Sequence, residues 1–330
     1  MKVLITDHVW PNVDVERRIL STVGAEVIVS PNGSEAELAR LAAGCDAIMT
    51  CFAQVTPAVL RAAPRCLQVA RYGIGVDNIA LETATELGIV VTNVPAFCVD
   101  EVAEHALGLL LACARRIPLY DRATHSGRWD NLMGRPLFRV SGSTLGIVGF
   151  GKIGRSLARK ASGMDLRILV HDPALRPGDQ SLQGVEVVDF DTLLGQSDFI
   201  SLHLPLTPET RGLMGEAQLR KMKRTAYLLN TSRGPIIDTV ALERALQEGW
   251  IAGAGLDVMP QEPPATDDPL LALDNLVLTP HASFYSEQSL VELQTRAVEE
   301  VVRVLSGQRP RNAVNPEVLP RARAAHLRQN

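Results

Sequence analysis

The chain has 330 residues, 46% of them hydrophobic and 21% charged, with a formal net charge of −4. That length exceeds the usual single core and predicts a globular protein of two domains. The mild acidity offers nothing to nucleic acid or to an anionic membrane. Five cysteines, at 45, 51, 66, 98 and 113, are odd in number and lack C-x-x-C spacing. They argue against a disulfide framework or a metal site and fit reduced thiols in a cytoplasmic protein. The longest apolar run, 106–114, is too short to span a bilayer. Met1-Lys2 leads directly into a strand-like run, with no signal-peptide pattern.

In chain order, strand patterns at 3–6, 27–29, 47–49, 67–70 and 89–92 alternate with helical patterns at 15–22, 35–42 and 57–63. Such a series predicts a parallel sheet. Its first turn, Asp7-His8-Val9-Trp10, has no glycine fingerprint, which leaves this sheet for substrate. A helix is predicted over 99–116 from apolar residues at helical spacing, and a polar loop over 121–142.

The run 145–148 then leads into Gly149-Phe150-Gly151-Lys152-Ile153-Gly154 and a helical pattern. Gly149 permits a tight turn, Gly151 lets backbone approach a pyrophosphate, and Gly154 lets helix and strand pack closely. The helix N-terminus offers unpaired N–H groups to the phosphates. A second run, 166–170, ends at Asp172, about 20 residues past the glycines, where a carboxylate accepts both ribose hydroxyls. Its charge repels a 2′-phosphate, so NAD is expected over NADP. The plainer reading of Asp172 is a cap on the next turn.

Further strands are predicted at 185–188, 198–202, 226–230, 253–257 and 276–279. Several end in polar residues, where open parallel sheets bind ligands. A helix over 289–305 and an extended stretch over 313–318 are expected to return to the first domain. The expectation is two Rossmann-like α/β domains, with the dinucleotide-binding domain (98–285) inserted into a discontinuous flavodoxin-like substrate domain (1–97 and 286–330). Residues 321–330 read as a mildly basic, frayed tail.

Three residues near strand ends supply acid–base and electrophilic chemistry. Arg233 is always charged and can bind a carboxylate bidentately. Glu262 lies in Gln261-Glu262-Pro263-Pro264, and His281 follows Pro280. Histidine can pass a proton near neutral pH, and a carboxylate partner orients its ring and favours imidazolium. Singly, each has a plain alternative: a surface ion pair, a solvated turn, a helix cap. His105, His203 and Cys98 read as packed side chains.

The sequence resembles the D-isomer-specific 2-hydroxyacid dehydrogenase family over essentially its whole length. The motifs are Gly149 to Gly154, His203-Leu204-Pro205-Leu206-Thr207-Pro208-Glu209-Thr210, Asn230-Thr231-Ser232-Arg233-Gly234, Gly255-Leu256-Asp257-Val258 and Pro280-His281. The resemblance implies Arg233, Glu262 and His281 as a catalytic trio, with His281 the proton donor in reduction of a small 2-oxo acid. It implies cofactor contacts from Lys152, Ile153, Asp172, Leu204, Pro205, Thr210, Thr231 and Asp257, the last facing the nicotinamide. It also implies a homodimer joined through the dinucleotide domains.

Within the family the chain looks nearest to the C-terminal-binding protein branch. That likeness rests on Arg71-Tyr72-Gly73-Ile74-Gly75-Val76-Asp77-Asn78, on Val99 to Glu104 and on His281 to Gln288. The branch implies Arg71 against a substrate carboxylate, or an NADH-sensing interaction protein with little turnover as the alternative function. The plain reading of Arg71 is a strand-edge ion pair with Asp77. Gly73 and Gly75 suit a backbone-amide cradle for the carboxylate. Phe284 stands where the branch's animal members carry a tryptophan that shapes the substrate pocket.

Overall fold

Apolar runs become strands here because a parallel sheet covered by helices buries both faces of each strand. In the computed structural model, which describes residues 1–176 and 184–325, the first five are β1 (Lys2–Ile5), β2 (Glu26–Val29), β3 (Ala47–Thr50), β4 (Gln68–Arg71) and β5 (Val90–Thr92). They form one sheet in the order β2-β1-β3-β4-β5, with every pair parallel. This is the flavodoxin-like order.

The remaining strands are β6 (Thr144–Val148), β7 (Arg167–His171), β8 (Glu186–Val187), β9 (Phe199–Leu202), β10 (Tyr227–Asn230), β11 (Gly253–Leu256) and β12 (Leu276–Leu278). Their order is β12-β11-β10-β9-β6-β7-β8. The order reverses between β6 and β9, the switch point where a doubly wound sheet opens its crevice. Alternate side chains feed two cores. Leu145 and Ile147 join Ala106, Leu110 and Leu157 on one face, while Val148, Leu202 and Leu228 join Leu193, Leu219 and Leu242 on the other. Each such buried leucine, isoleucine or valine side chain contributes about 1.5–3 kcal/mol.

The chain divides into two units, Met1–Phe97 with Ser286–Asn330, and Cys98–Tyr285. The helix Glu287–Leu305 begins at a capping box in which Ser286 and Ser289 bond each other's backbone N–H. Among the described residues no helix is long and apolar enough to cross a membrane.

Four local expectations change. The helix from Val99 stops at Ala114, and a second helix, Ile117–His125, enters the stretch read as a polar loop. Pro118 suits that helix's first turn. The stretch read as extended pairs only at Ala313, opposite Thr92, and then winds into a 3-10 turn, Pro316–Arg321, started by its proline. The basic tail is pinned where it begins. Arg323 donates its N–H to the Gly88 carbonyl at 2.7 Å and its guanidinium to the Ala63 carbonyl at 2.7 Å, while Ala322 and Ala324 are buried beside Val90 and Val304. Residues 326–330 of that tail lie outside the described residues.

Candidate active site

Strand register decides which residues meet at the carboxyl edge of the larger sheet. Val148, Leu202, Asn230, Leu256 and Leu278 pair in one row, and His171 pairs with Val148 on the other side. The next residue on each strand therefore falls in one file: Asp172, Gly149, His203, Thr231, Asp257 and Thr279.

The glycine loop is shaped by close approach. Gly149 has φ +90°, and a Cβ there would lie 2.3 Å from the His203 carbonyl oxygen. A Cβ on Gly154 would lie 2.4 Å from the Gly149 carbonyl oxygen, whereas one on Gly151 meets nothing within 4 Å. Gly151 caps the helix Lys152–Ala161, which has no side-chain cap, so the first-turn N–H groups, those of Lys152 and Ile153 among them, have no partner inside the helix. Asp172 hangs over this loop. Its Oδ2 accepts the Phe150 N–H at 2.7 Å and its Oδ1 the Ala174 N–H at 2.9 Å, so it both caps its own turn and braces the loop.

Farther along the file, the Thr231 hydroxyl is buried with no hydrogen-bond partner. The loop after His203 is folded by Thr210, whose hydroxyl donates to the Pro205 carbonyl at 2.7 Å and accepts the Thr207 N–H at 2.8 Å; Leu204 is partly buried against the core. Burial pushes the His203 imidazole down to about 4, and its Nε2 meets Ser201 Oγ at 2.9 Å. A dinucleotide fits these residues. Open space over Gly151, an uncapped helix start, remaining carboxylate lone pairs on Asp172 and an orphaned hydroxyl on Thr231 are what such a ligand needs.

The proposed trio is built by two turns beside the file. Asn230 Nδ2 donates to the Arg233 carbonyl at 2.8 Å, and Ser232 Oγ donates to the Leu202 carbonyl at 2.7 Å, which fixes the Arg233 backbone. A Cβ on Gly234 would lie 2.1 Å from the Met259 carbonyl carbon, so this turn presses on the segment that leads to Glu262. Glu262 Oε1 accepts the Met259 N–H at 2.9 Å, and its Oε2 meets His281 Nδ1 at 2.7 Å. Burial alone would raise the Glu262 carboxyl. The hydrogen bond and charge of His281, the Met259 N–H and the Arg233 guanidinium outweigh it and hold the group below the ordinary carboxylate value. A carboxylate only accepts, so His281 Nδ1 carries the proton between them. His281 has φ +52°, a left-handed conformation uncommon for a residue other than glycine. Phe284 meets its ring edge-on, with centroids 6.2 Å apart.

In the other unit, Arg71 ends β4 and is only 7% exposed. Its Nε donates to Asn78 Oδ1 at 3.0 Å, its Nη1 donates to the Tyr72 carbonyl, and the guanidinium lies 5.8 Å from the centroid of Phe52. Gly73, at φ +152°, lies so close that a Cβ would be 2.8 Å from Arg71 Nη1. The Ile74 carbonyl accepts from Asn93 Nδ2 at 2.7 Å, and Gly75 is partly exposed. The Tyr72 ring does not share that exposure. It is 2% exposed, with its hydroxyl 3.1 Å from Glu16 Oε1 and its backbone N–H donated to the Thr50 carbonyl at 2.8 Å, so neither the ring nor that N–H is open to a ligand.

Asn78, which lies in the Arg71 motif but was given no role there, braces Arg71, and His105, outside every motif, reaches Thr279 at 2.8 Å. The readable signal for the latter was the row of strand ends, since Thr279 follows β12 as Asp257 follows β11. Among the described residues no group of His, Cys, Asp and Glu could hold a metal ion.

Comparison with known proteins agrees with this architecture. A family model described as the NAD-binding domain of D-isomer specific 2-hydroxyacid dehydrogenases matches residues 107–283. Glyoxylate reductase of Korarchaeum cryptofilum is 46% identical over 280 residues, covering 83% of this chain and 84% of that protein. D-3-phosphoglycerate dehydrogenase of Archaeoglobus fulgidus is 38% identical over 325 residues, covering 97% of this chain and 60% of that one. The crystal structure of D-lactate dehydrogenase from Aquifex aeolicus with NAD and lactic acid superposes with a TM-score of 0.84 at 28% identity, over 93% of this chain and 96% of that one. The chain therefore belongs to the D-isomer specific 2-hydroxyacid dehydrogenase family and is an NAD-dependent oxidoreductase.

Proposed function

We propose that the protein reduces a small 2-oxo acid, glyoxylate or hydroxypyruvate first among them, to the D-2-hydroxy acid, and runs reversibly. The observation that carries this reading is the 2.7 Å contact between Glu262 and His281 Nδ1, with Arg233 close enough to bias the Glu262 carboxyl. NADH, when bound, supplies the hydride that reduces the carbonyl carbon. His281 delivers a proton to the carbonyl oxygen from Nε2, the nitrogen opposite Glu262, and Glu262 stabilises the imidazolium that gives it up. Arg233 polarises the carbonyl and binds the carboxylate. Arg71 and the backbone N–H groups around Gly73 and Gly75 add carboxylate recognition, and Phe284 bounds the substituent. Asp172 holds the ribose and selects NAD over NADP. Relatives named glyoxylate reductase, 46% and 42% identical, support the substrate class. The working assembly is a homodimer joined through the unit Cys98–Tyr285.

The test is NADH oxidation by the purified protein with glyoxylate, hydroxypyruvate, phenylpyruvate and 4-methylthio-2-oxobutyrate, repeated with NADPH. Turnover with the small acids is expected, with a preference for NADH. The His281→Ala variant should lose about 10³-fold in turnover while still binding NADH. Tight NADH binding with no turnover across the series would sink the reading and favour an NADH-sensing interaction protein. Full turnover by His281→Ala would remove His281 from the proton step.

A further inference from the structure

His105 sits on the helix Val99–Ala114, where a packed histidine would be expected to bond within its own helix. Instead its Nε2 lies 2.8 Å from Thr279 Oγ1, across 174 residues of sequence, and 3.5 Å from Asp257 Oδ1. The direction of these bonds can be counted. Thr279 Oγ1 donates to Asp257 Oδ1 at 2.5 Å, which uses the only hydrogen a hydroxyl has. Thr279 must then accept from His105, so His105 Nε2 carries the proton. The result is a one-way chain from imidazole N–H through hydroxyl to carboxylate.

That carboxylate is where the chain acts. Asp257 is 1% exposed, and it grips the turn bearing His281 on both sides. Its backbone carbonyl accepts the His281 N–H at 2.7 Å, its Oδ1 the Ala282 N–H at 2.9 Å, and its Oδ2 the Ser283 N–H at 2.9 Å. These bonds hold in place the left-handed backbone at His281, φ +52°, which an L residue leaves readily unless its surroundings fix it. We propose that His105 is a positioning residue for proton transfer: through Thr279 and Asp257 it locks the strained turn that presents His281. The inference rests on the reading of His281 as the proton donor.

The test compares His105→Ala, His105→Gln and Thr279→Val in the full chain. His105→Ala and Thr279→Val should lower kcat about tenfold or more, because a misplaced acid costs rate rather than binding. KM and the NADH Kd should stay within about twofold of wild type. The Gln amide can donate in the same direction and should restore most of kcat. Hydrogen exchange of the peptide spanning Ala282 and Ser283 should quicken in His105→Ala and return toward wild type in His105→Gln. Wild-type kcat with unchanged exchange in His105→Ala overturns the inference, as does a parallel loss of NADH binding and melting temperature that Gln fails to rescue. His281→Ala, assayed alongside, separates the two claims. If it keeps full turnover, the proton-donor reading has failed; if it is inactive while His105→Ala is normal, only the role of His105 has.

Discussion

A methyl group placed on Gly151 would meet no protein atom within 4 Å, whereas on Gly154 it would lie 2.4 Å from the Gly149 carbonyl oxygen. The same substitution therefore separates binding from folding. Gly151→Ala should leave stability to urea unchanged and weaken NADH binding about tenfold or more, since the methyl group occupies the space a phosphate would take. Gly154→Ala should cost about 2 kcal/mol of stability, because backbone rather than a flexible side-chain tip must move. Denaturation curves and NADH fluorescence titrations check both. A Gly151→Ala protein that binds NADH like wild type would move the phosphates away from this loop. These glycines were legible in the sequence because each steric demand is local and falls at a fixed offset. The plain reading of Asp172, a cap on the next turn, describes its contact with Ala174, and its second oxygen also braces Phe150. The direction of the Tyr72 ring was not legible, because one residue past a strand end the pleat no longer decides which way a side chain turns. His105 was hidden for a different reason. Its partner is set by the register of two strands far along the chain.

At the scale of elements, the strands announced themselves as apolar runs with polar ends, since burial on both faces leaves little room for polar residues. The helices Phe190–Gln196 and Glu216–Lys221 carry no comparable signal. With two turns or fewer they never complete an apolar stripe, and tertiary packing makes them. The helix Asp14–Leu20 shows what a stripe conceals. On it Glu16 is fully buried, taking the Tyr72 hydroxyl at 3.1 Å and lying 3.2 Å and 3.3 Å from Gln294 Nε2 on the helix Glu287–Leu305. It links the first helix, the last long helix and the loop that follows Arg71. Burial pushes its carboxyl above the ordinary value, against the hydrogen bonds that pull it down. A carboxyl with a raised folded-state pKa holds its proton more tightly when folded. Its contribution is therefore full below the unfolded-state value and is lost as pH rises through the folded one. Glu16→Gln removes that loss. Its stability relative to wild type should improve as pH rises above the ordinary carboxylate range in urea denaturation. Parallel stability curves for the two proteins would show that Glu16 does not titrate differently on folding.

For the molecule as a whole, two parallel sheets were readable from the alternation of strand and helix, and they take the flavodoxin-like and doubly wound orders. Assembly is written less plainly. The segment after the helix Val99–Ala114 folds back on itself, Tyr120 accepting the Gly134 N–H at 3.2 Å and donating to the Asn131 carbonyl at 3.0 Å. Yet it leaves Ile117 55%, Trp129 89%, Leu132 52% and Phe138 58% exposed. Single exposed apolar residues are ordinary, but four within one short segment, two of them aromatic, are what a surface for a partner would present. An aromatic side chain buries about 150–250 Å² when covered, worth several kcal/mol at about 25 cal/mol per Å². The occupant that accords with the family resemblance is a second copy of the same segment, since most homo-oligomers close through one self-complementary patch. Wild-type protein should then sediment at twice the chain mass. Trp129→Asp combined with Phe138→Asp should shift it to a monomer, because neither carboxylate can be buried unpaired at the centre of such a patch. Both positions are solvent-exposed within the chain, so each unit should keep its fold and the circular dichroism spectrum should not change. A double variant that remains a dimer would place the interface elsewhere on the protein.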